Sequence, residues 1–209
     1  MQIGMLGAGH VAQAVAGHAV SAGHHVVLSN RRGPASLAPV LEHLGPLASA
    51  GTPEEAAHAE LVLLAVWWTQ IPDAITATGV TDWDGRIVID ATNEFVGTPP
   101  DDIRPADLGD VIGSEHVASM LPGARVVKAF NTMSSSYIAA NPHHPAGRQI
   151  VFMAGDNPDA NRRVAALVEQ FGFAAVNLGA LRESGRLMQI GGPLSLLHAL
   201  KQDQSVHVS

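Results

Sequence analysis

The sequence contains no cysteine, which rules out disulfides, thiolate catalysis and cysteine-ligated zinc or iron–sulfur centres. Basic residues are scarce: 12 Lys plus Arg stand against 19 Asp plus Glu, a formal charge of −7. A surface that binds nucleic acid by neutralising phosphates needs the opposite balance, so no nucleic-acid partner is expected. Long apolar runs are missing as well, since no window offers the roughly 20 unbroken apolar residues of a bilayer span. The N-terminal stretch "MQIGMLGAGHVAQAVAGHAV" has no basic leading region and is broken by glycines and histidines, unlike a signal peptide. A soluble, cytoplasmic protein with no membrane partner is the expectation. Internal repeats and low-complexity linkers are also absent.

What is present is a chain of 209 residues, 46% hydrophobic and 15% charged, enough for one domain with a packed core. Short apolar runs alternate with stretches of helical period, the order expected of βαβ units around a parallel sheet. The pattern predicts strands near 2–6, 25–29, 46–49, 61–66, 86–90, 125–129, 150–154 and 174–177. It predicts helices near 10–22, 35–44, 54–58, 69–78, 113–120, 134–140 and 158–171. The runs "ELVLLAV" and "GRIVIDAT" are apolar on both faces, as central strands covered by helices must be. Residues 97–111, "GTPPDDIRPADLGDV", read as a loop. The expected fold is α/β: a Rossmann-type doubly wound, mostly parallel sheet with helices on both faces and a short C-terminal extension. Residues 1–209 are read as a single domain, with 141–209 adding a βαβ-like layer and a tail.

Directly after the first strand, "GAGHVA" sets Gly7, Gly9 and Ala12 at the opening of a helix. This is the G-x-G-x-x-G/A dinucleotide fingerprint in its required setting. Gly7 permits the tight turn, Gly9 lets the backbone approach a pyrophosphate, and Ala12 lets helix and strand pack closely. The helix N-terminus then offers unpaired N–H groups to an anion. In an NAD-binding unit an acidic residue about 20 positions later accepts the ribose hydroxyls. Here that place holds Ser29 and Asn30, followed by Arg31 and Arg32. A guanidinium matches a 2′-phosphate that a carboxylate would repel, so the reading is NADP(H) over NAD, with Ser29 and Asn30 as further hydrogen-bond donors.

Other residues invite a role. His24 and His25, like His143 and His144, are adjacent pairs without the spacing of a metal motif, so no metal site is expected. His10 follows Gly9 and can reach a cofactor mouth. Trp67 and Trp68 read either as aromatics closing a strand end or as a wall of a hydride-acceptor pocket. Lys128, at the end of its strand in the setting "KAFN", is favoured for a place near the cofactor.

Taken together, "IGMLGAGHVAQAVA", "HVVLSNRRGP", "VLLAVWW", "VIDATNEF" and "VVKAFNTM" resemble the family of NADP oxidoreductases dependent on the deazaflavin coenzyme F-420. The resemblance runs from residue 1 to about 180. It implies a Rossmann-type domain that binds NADP(H) and passes hydride between nicotinamide and deazaflavin, often as a homodimer. It places Gly7, Ala8, Gly9, His10, Val11 and Ala12 at the pyrophosphate turn and Ser29, Asn30, Arg31 and Arg32 at the 2′-phosphate. Ala65, Val66 and Trp67 match the segment beneath the riboses, and Ala91, Thr92 and Asn93 lie close to the nicotinamide in such folds. Lys128, Ala129, Phe130, Asn131 and Thr132 match the stretch between the two rings. His10 departs from the family's usual Asn, and "AVWW" from its Ala-Val-Pro-Trp.

Hydride transfer between stacked rings needs orientation and exclusion of water, so no catalytic side chain is expected. Two other readings stand beside an oxidoreductase acting on a small-molecule hydride acceptor or donor. One is a non-catalytic NADP(H)-binding module that senses redox state. The other is a carbonyl or imine reductase of the hydroxyacid or pyrroline-carboxylate type, for which only about 30 residues after the last predicted strand leave little room for a helical substrate domain.

Overall fold

A computed structural model describes residues 1–97 and 102–202; residues 98–101 of the 97–111 loop and 203–209 of the tail lie outside the described residues. The chain opens β1 (Gln2–Leu6), α1 (His10–Ser21), β2 (His25–Ser29), α2 (Ala38–Leu44), β3 (Ala48–Ala50), α3 (Pro53–Ala57) and β4 (Leu61–Leu64). It continues through α4 (Ile71–Thr76), β5 (Ile87–Asp90), a two-stranded ribbon of β6 (Phe95–Val96) and β7 (Arg104–Pro105), α5 (Gly113–Ser119) and β8 (Arg125–Ala129). The last part is α6 (Ser135–Ala139), β9 (His143–His144), β10 (Gly147–Gly155), α7 (Pro158–Gln170), β11 (Ala174–Asn177), α8 (Leu181–Met188) and β12 (Leu200–Lys201). Two 3-10 turns, Pro34–Leu37 and Trp68–Gln70, lead into α2 and α4.

The main sheet has the order β11-β10-β8-β5-β4-β1-β2-β3, with β9 and β12 paired to β10. From β3 to β8 every pairing is parallel; β10 then runs antiparallel to β8 and parallel to β11. Burial explains this arrangement strand by strand. Ile3 and Met5, Leu61 and Leu63, and Ile87 and Ile89 enter one hydrophobic cluster, with side chains of α1, α2, α6 and α7. Leu6, Val62, Leu64 and Val88 enter the other, with side chains of α3, α4, α5 and α8. Successive strand residues point to opposite faces, so strands apolar at every position are held between two helix layers. The fold is the doubly wound α/β sheet expected from the sequence.

Helix starts follow their local chemistry. Thr52 accepts a hydrogen bond from the Glu55 N–H while the Glu55 carboxylate accepts one from the Thr52 N–H, a complete capping box at α3. The Asn157 side chain accepts from the Ala160 N–H to start α7. Some elements differ from expectation. The third strand begins at Ala48 and not at 46, because Gly45 turns the chain at φ 87° and Pro46 has no N–H for the ladder. The helix expected over 69–78 is shorter: a 3-10 turn ends at Gln70, and α4 begins at Ile71 with Pro72 in its first turn. The 97–111 loop begins beside the β6–β7 ribbon and contains β7. The helix α8 lies in a region given no element by the sequence reading. None of the described helices is long and apolar enough to cross a membrane.

Candidate functional site

The order β4-β1-β2 leaves a crevice outside the carboxyl ends of β1 and β4, where the sheet's winding reverses and ligands bind in such folds. Gly7 sits at this point with φ 111°, a left-handed conformation that strains any residue with a Cβ. A Cβ there would also lie 2.2 Å from the Ala65 carbonyl oxygen, so the two loops meet only because Gly7 has no side chain. Its N–H donates to the Ser29 carbonyl at 3.1 Å, and the Ala65 N–H donates to the Leu6 carbonyl at 2.9 Å. Three strand ends are thereby tied together. Gly9 caps α1 without a side chain, and a Cβ on it would meet nothing within 4 Å. No side chain caps α1, so its first N–H groups have no side-chain partner, and Gln13 steadies the turn by donating to the Ala8 carbonyl at 2.8 Å.

This turn opens on a cavity of about 570 Å³. Of the residues expected at a cofactor, Gly7, Ala8, Gly9, Ser29, Asn30, Arg31, Arg32, Ala65, Val66 and Trp67 line it together. Arg31 and Arg32 are exposed, and neither guanidinium has a hydrogen bond or ion pair among the described residues. Asn30 arranges their loop: its side-chain oxygen accepts from the Arg32 N–H at 2.8 Å and its amide donates to the Ser36 hydroxyl at 3.0 Å. The Ser29 hydroxyl donates to the Met5 carbonyl at 2.8 Å and is buried. The single donor of the Ser29 hydroxyl is thus engaged by a protein acceptor, whereas the Asn30 amide keeps one N–H beyond its bond to Ser36, and both residues shape the loop that presents the arginines.

The other expected residues lie elsewhere. Ala12, on the inner face of α1, is fully buried, and Val11 packs against the core. His10 turns to a second cleft of about 710 Å³ between α1, α2 and α6, beside Ser135 and Ser136. Ala91, Ala129 and Phe130 are core residues at the ends of β5 and β8. Phe130 holds φ 66° while its ring packs edge-on to Phe173 at 6.3 Å. The Lys128 ammonium, wholly buried, donates to the Thr92 carbonyl at 2.6 Å and to Asp90 Oδ2 at 3.1 Å, and lies 3.6 Å from Glu94 Oε1. Asp90 also accepts from the Thr92 N–H and hydroxyl. Asn93 and Asn131 bond each other across the same strand ends: the Asn93 amide donates to the Asn131 carbonyl at 2.9 Å, and the Asn131 amide to Asn93 Oδ1 at 3.2 Å and to the Met188 carbonyl at 2.9 Å. Thr132 is buried beside them. Trp67 is 43% exposed at the cavity, whereas Trp68 turns away to pack on His116 with ring centres 5.7 Å apart.

Sequence reasoning missed one wall of the cavity, formed by Gln70, Asp73, Ala74 and Ala77 on and beside α4 with Thr52 and Pro53 at the start of α3. Their spacing of three, four and seven marks a single helix face, a signal visible in the sequence. No group of three metal-ligating side chains exists among the described residues. The donor set fits a phosphate-bearing dinucleotide: free backbone N–H groups at a glycine turn, two uncommitted guanidiniums, and apolar surface from Pro34, Val66, Ala74 and Ala77.

Comparisons with known proteins agree with this geometry. Residues 2–94 match the family described as NADP oxidoreductase, coenzyme F420-dependent. A hypothetical protein, SMa0349, from Sinorhizobium meliloti is 40% identical and superposes with a TM-score of 0.89, over 97% of each chain. A structure from Arthrobacter sp. FB24, proposed to be an F420-dependent NADP reductase, is 27% identical with a TM-score of 0.78 over 90% of each chain. Metalloreductase STEAP3 of Rattus norvegicus is 28% identical over 203 residues, 96% of this chain but 38% of that protein. The chain therefore spans little more than a third of the curated relatives it matches.

Proposed function

Because residues 2–94 match the family of coenzyme F-420-dependent NADP oxidoreductases, we propose that the chain transfers hydride between NADP(H) and a deazaflavin or a related planar flavin-like acceptor. The observation that carries the NADP(H) half is the pair of uncommitted guanidiniums, Arg31 and Arg32, beside the glycine turn where an NAD enzyme would place a carboxylate. When bound, the nicotinamide and the second ring would supply the hydride chemistry, one giving the hydride and the other taking it. The protein's part is to bind and orient. The α1 N-terminus and Gly9 hold the pyrophosphate, the arginines hold the 2′-phosphate, and Ala65 to Trp67 support the riboses. No side chain acts as nucleophile, and the proton that accompanies hydride transfer comes from solvent.

Two measurements test this reading. Arg31→Ala should weaken NADPH binding about tenfold or more and leave NADH almost unchanged, as loss of a charge-assisted phosphate contact requires; equal affinity of the parent for both nucleotides would sink the NADP assignment. NADPH oxidation by the purified chain, offered deazaflavin, FMN, FAD and simple carbonyl compounds in turn, should proceed with deazaflavin. Turnover with FMN or FAD alone moves the acceptor to the flavins. Turnover with carbonyl compounds alone points to the carbonyl reductase, and tight binding without any turnover to a redox-sensing module.

A homodimer belongs to the same proposal. Leu196 and Leu197 are exposed in the segment before β12, at 67% and 41%, and Leu200, in β12, is exposed as well. A second copy of the chain covering this patch accounts for it. Sedimentation should give a dimer at micromolar concentration, and a clean monomer refutes the pairing.

A further inference from the structure

Among the residues lining the cofactor cavity, the charged ones are Arg31, Arg32 and Asp73. The arginines and the glycine turn suit phosphates, whereas a carboxylate repels them. Asp73 is exposed on α4 and its carboxylate has no hydrogen bond or ion pair among the described residues. An ionised carboxylate only accepts hydrogen bonds, so it suits the part of the ligand that donates. With the 2′-phosphate at the arginines, the base on the same ribose is the nearest large group. Adenine's edge has one donor, its exocyclic 6-amino group. Next to Asp73, Ala74 and Ala77 offer a small, apolar surface against which a flat ring can lie.

We propose that Asp73 accepts a hydrogen bond from the adenine 6-amino group and so selects the base of the dinucleotide. The proposal rests on the NADP(H) reading above. Asp73 also lies in the first turn of α4, where a negative charge favours the helix dipole. That contribution is indifferent to the base, so base preference separates the two roles.

The experiment measures dissociation constants of NADPH and of its deaminated counterpart, in which hypoxanthine replaces adenine, by titration calorimetry on the full chain. The hypoxanthine ring presents a carbonyl where adenine presents the amino group, so the bond from that group to Asp73 is lost and only the neighbouring ring N1–H remains as a donor on that edge. The parent should prefer NADPH by about tenfold, the size expected for one hydrogen bond to a charged group. Asp73→Ala should bring the ratio close to one. Asp73→Asn, whose amide can donate to the carbonyl, should bring it to one or invert it. An unaltered preference in both variants, or no preference in the parent, overturns the role of Asp73 and leaves the NADP(H) reading standing. Failure of the parent to bind either nucleotide overturns both.

Discussion

Gly7 combines two demands that a single methyl group would break. Its φ of 111° and the Ala65 carbonyl 2.2 Å from any Cβ mean that Gly7→Ala must push apart the loops after β1 and β4. Overpacking of this kind costs about 1–3 kcal/mol, which a urea midpoint will read, and NADPH affinity should fall with it. This residue was legible in the sequence because the backbone alone dictates it, and the arginines were legible because their charge is unusual in an acidic chain. Lys128 shows the opposite case. Its motif pointed to a ligand, yet nothing local announces that Asp90, at the end of β5, and Thr92 and Glu94, in the segment after it, gather around the ammonium. Replacing it by Met leaves two buried carboxylates without their cation. Lys128→Met should lose about 3–5 kcal/mol of unfolding free energy, measured by chemical denaturation. Asp73 escaped the sequence reading for a third reason: a lone carboxylate on a short helix looks like ordinary surface until the cavity wall beside it is known.

At the scale of elements, most strands and helices were readable from apolar periodicity, since the sheet buries alternate residues on two faces. The misses have physical causes. The buried face of α8 is Leu181, Ser184, Gly185 and Met188, so half of its inward positions are not hydrophobic. Gly185 is required there because a Cβ would meet Ile112 Cγ2 at 2.5 Å. Two-residue strands such as β9 and β12 exist by pairing with β10 and have no period of their own. The strand β10 is also fastened to α7 through Arg148 and Glu169. Burial alone would raise the Glu169 pKa, but the Arg148 bond and the Ala175 N–H together hold it below the usual 4.5. A carboxyl with its folded value below its unfolded one contributes stability above the unfolded value and loses it as pH falls through the folded value. Glu169→Gln should therefore melt earlier than the parent at neutral pH, by no more than about 1 kcal/mol for so exposed a pair. The gap should close on acidification below 4.5, and thermal melts across that range check it.

Across the whole molecule, the doubly wound architecture came through in the order of elements, because alternating strands and helices admit few right-handed arrangements. The reversal at β10 did not, since strand direction is set by partners and not by composition. The cofactor crevice lies at the winding point made by β1 and β4, inside the stretch that matches the family. The paired asparagines and the buried ion cluster sit farther along, where β5 and β8 end.

The seclusion of Lys128 also has a practical consequence. The sequence holds only two lysines, Lys128 and Lys201. Lys201 is exposed, while Lys128 has no solvent contact. An amine-reactive reagent should modify Lys201 and the α-amino group at once and reach Lys128 only when the sheet opens, as mass spectrometry of the labelled peptides will show. The rate of that second modification is then a direct clock for global opening, built into the chain without any added probe; fast labelling of Lys128 under native conditions would contradict its burial.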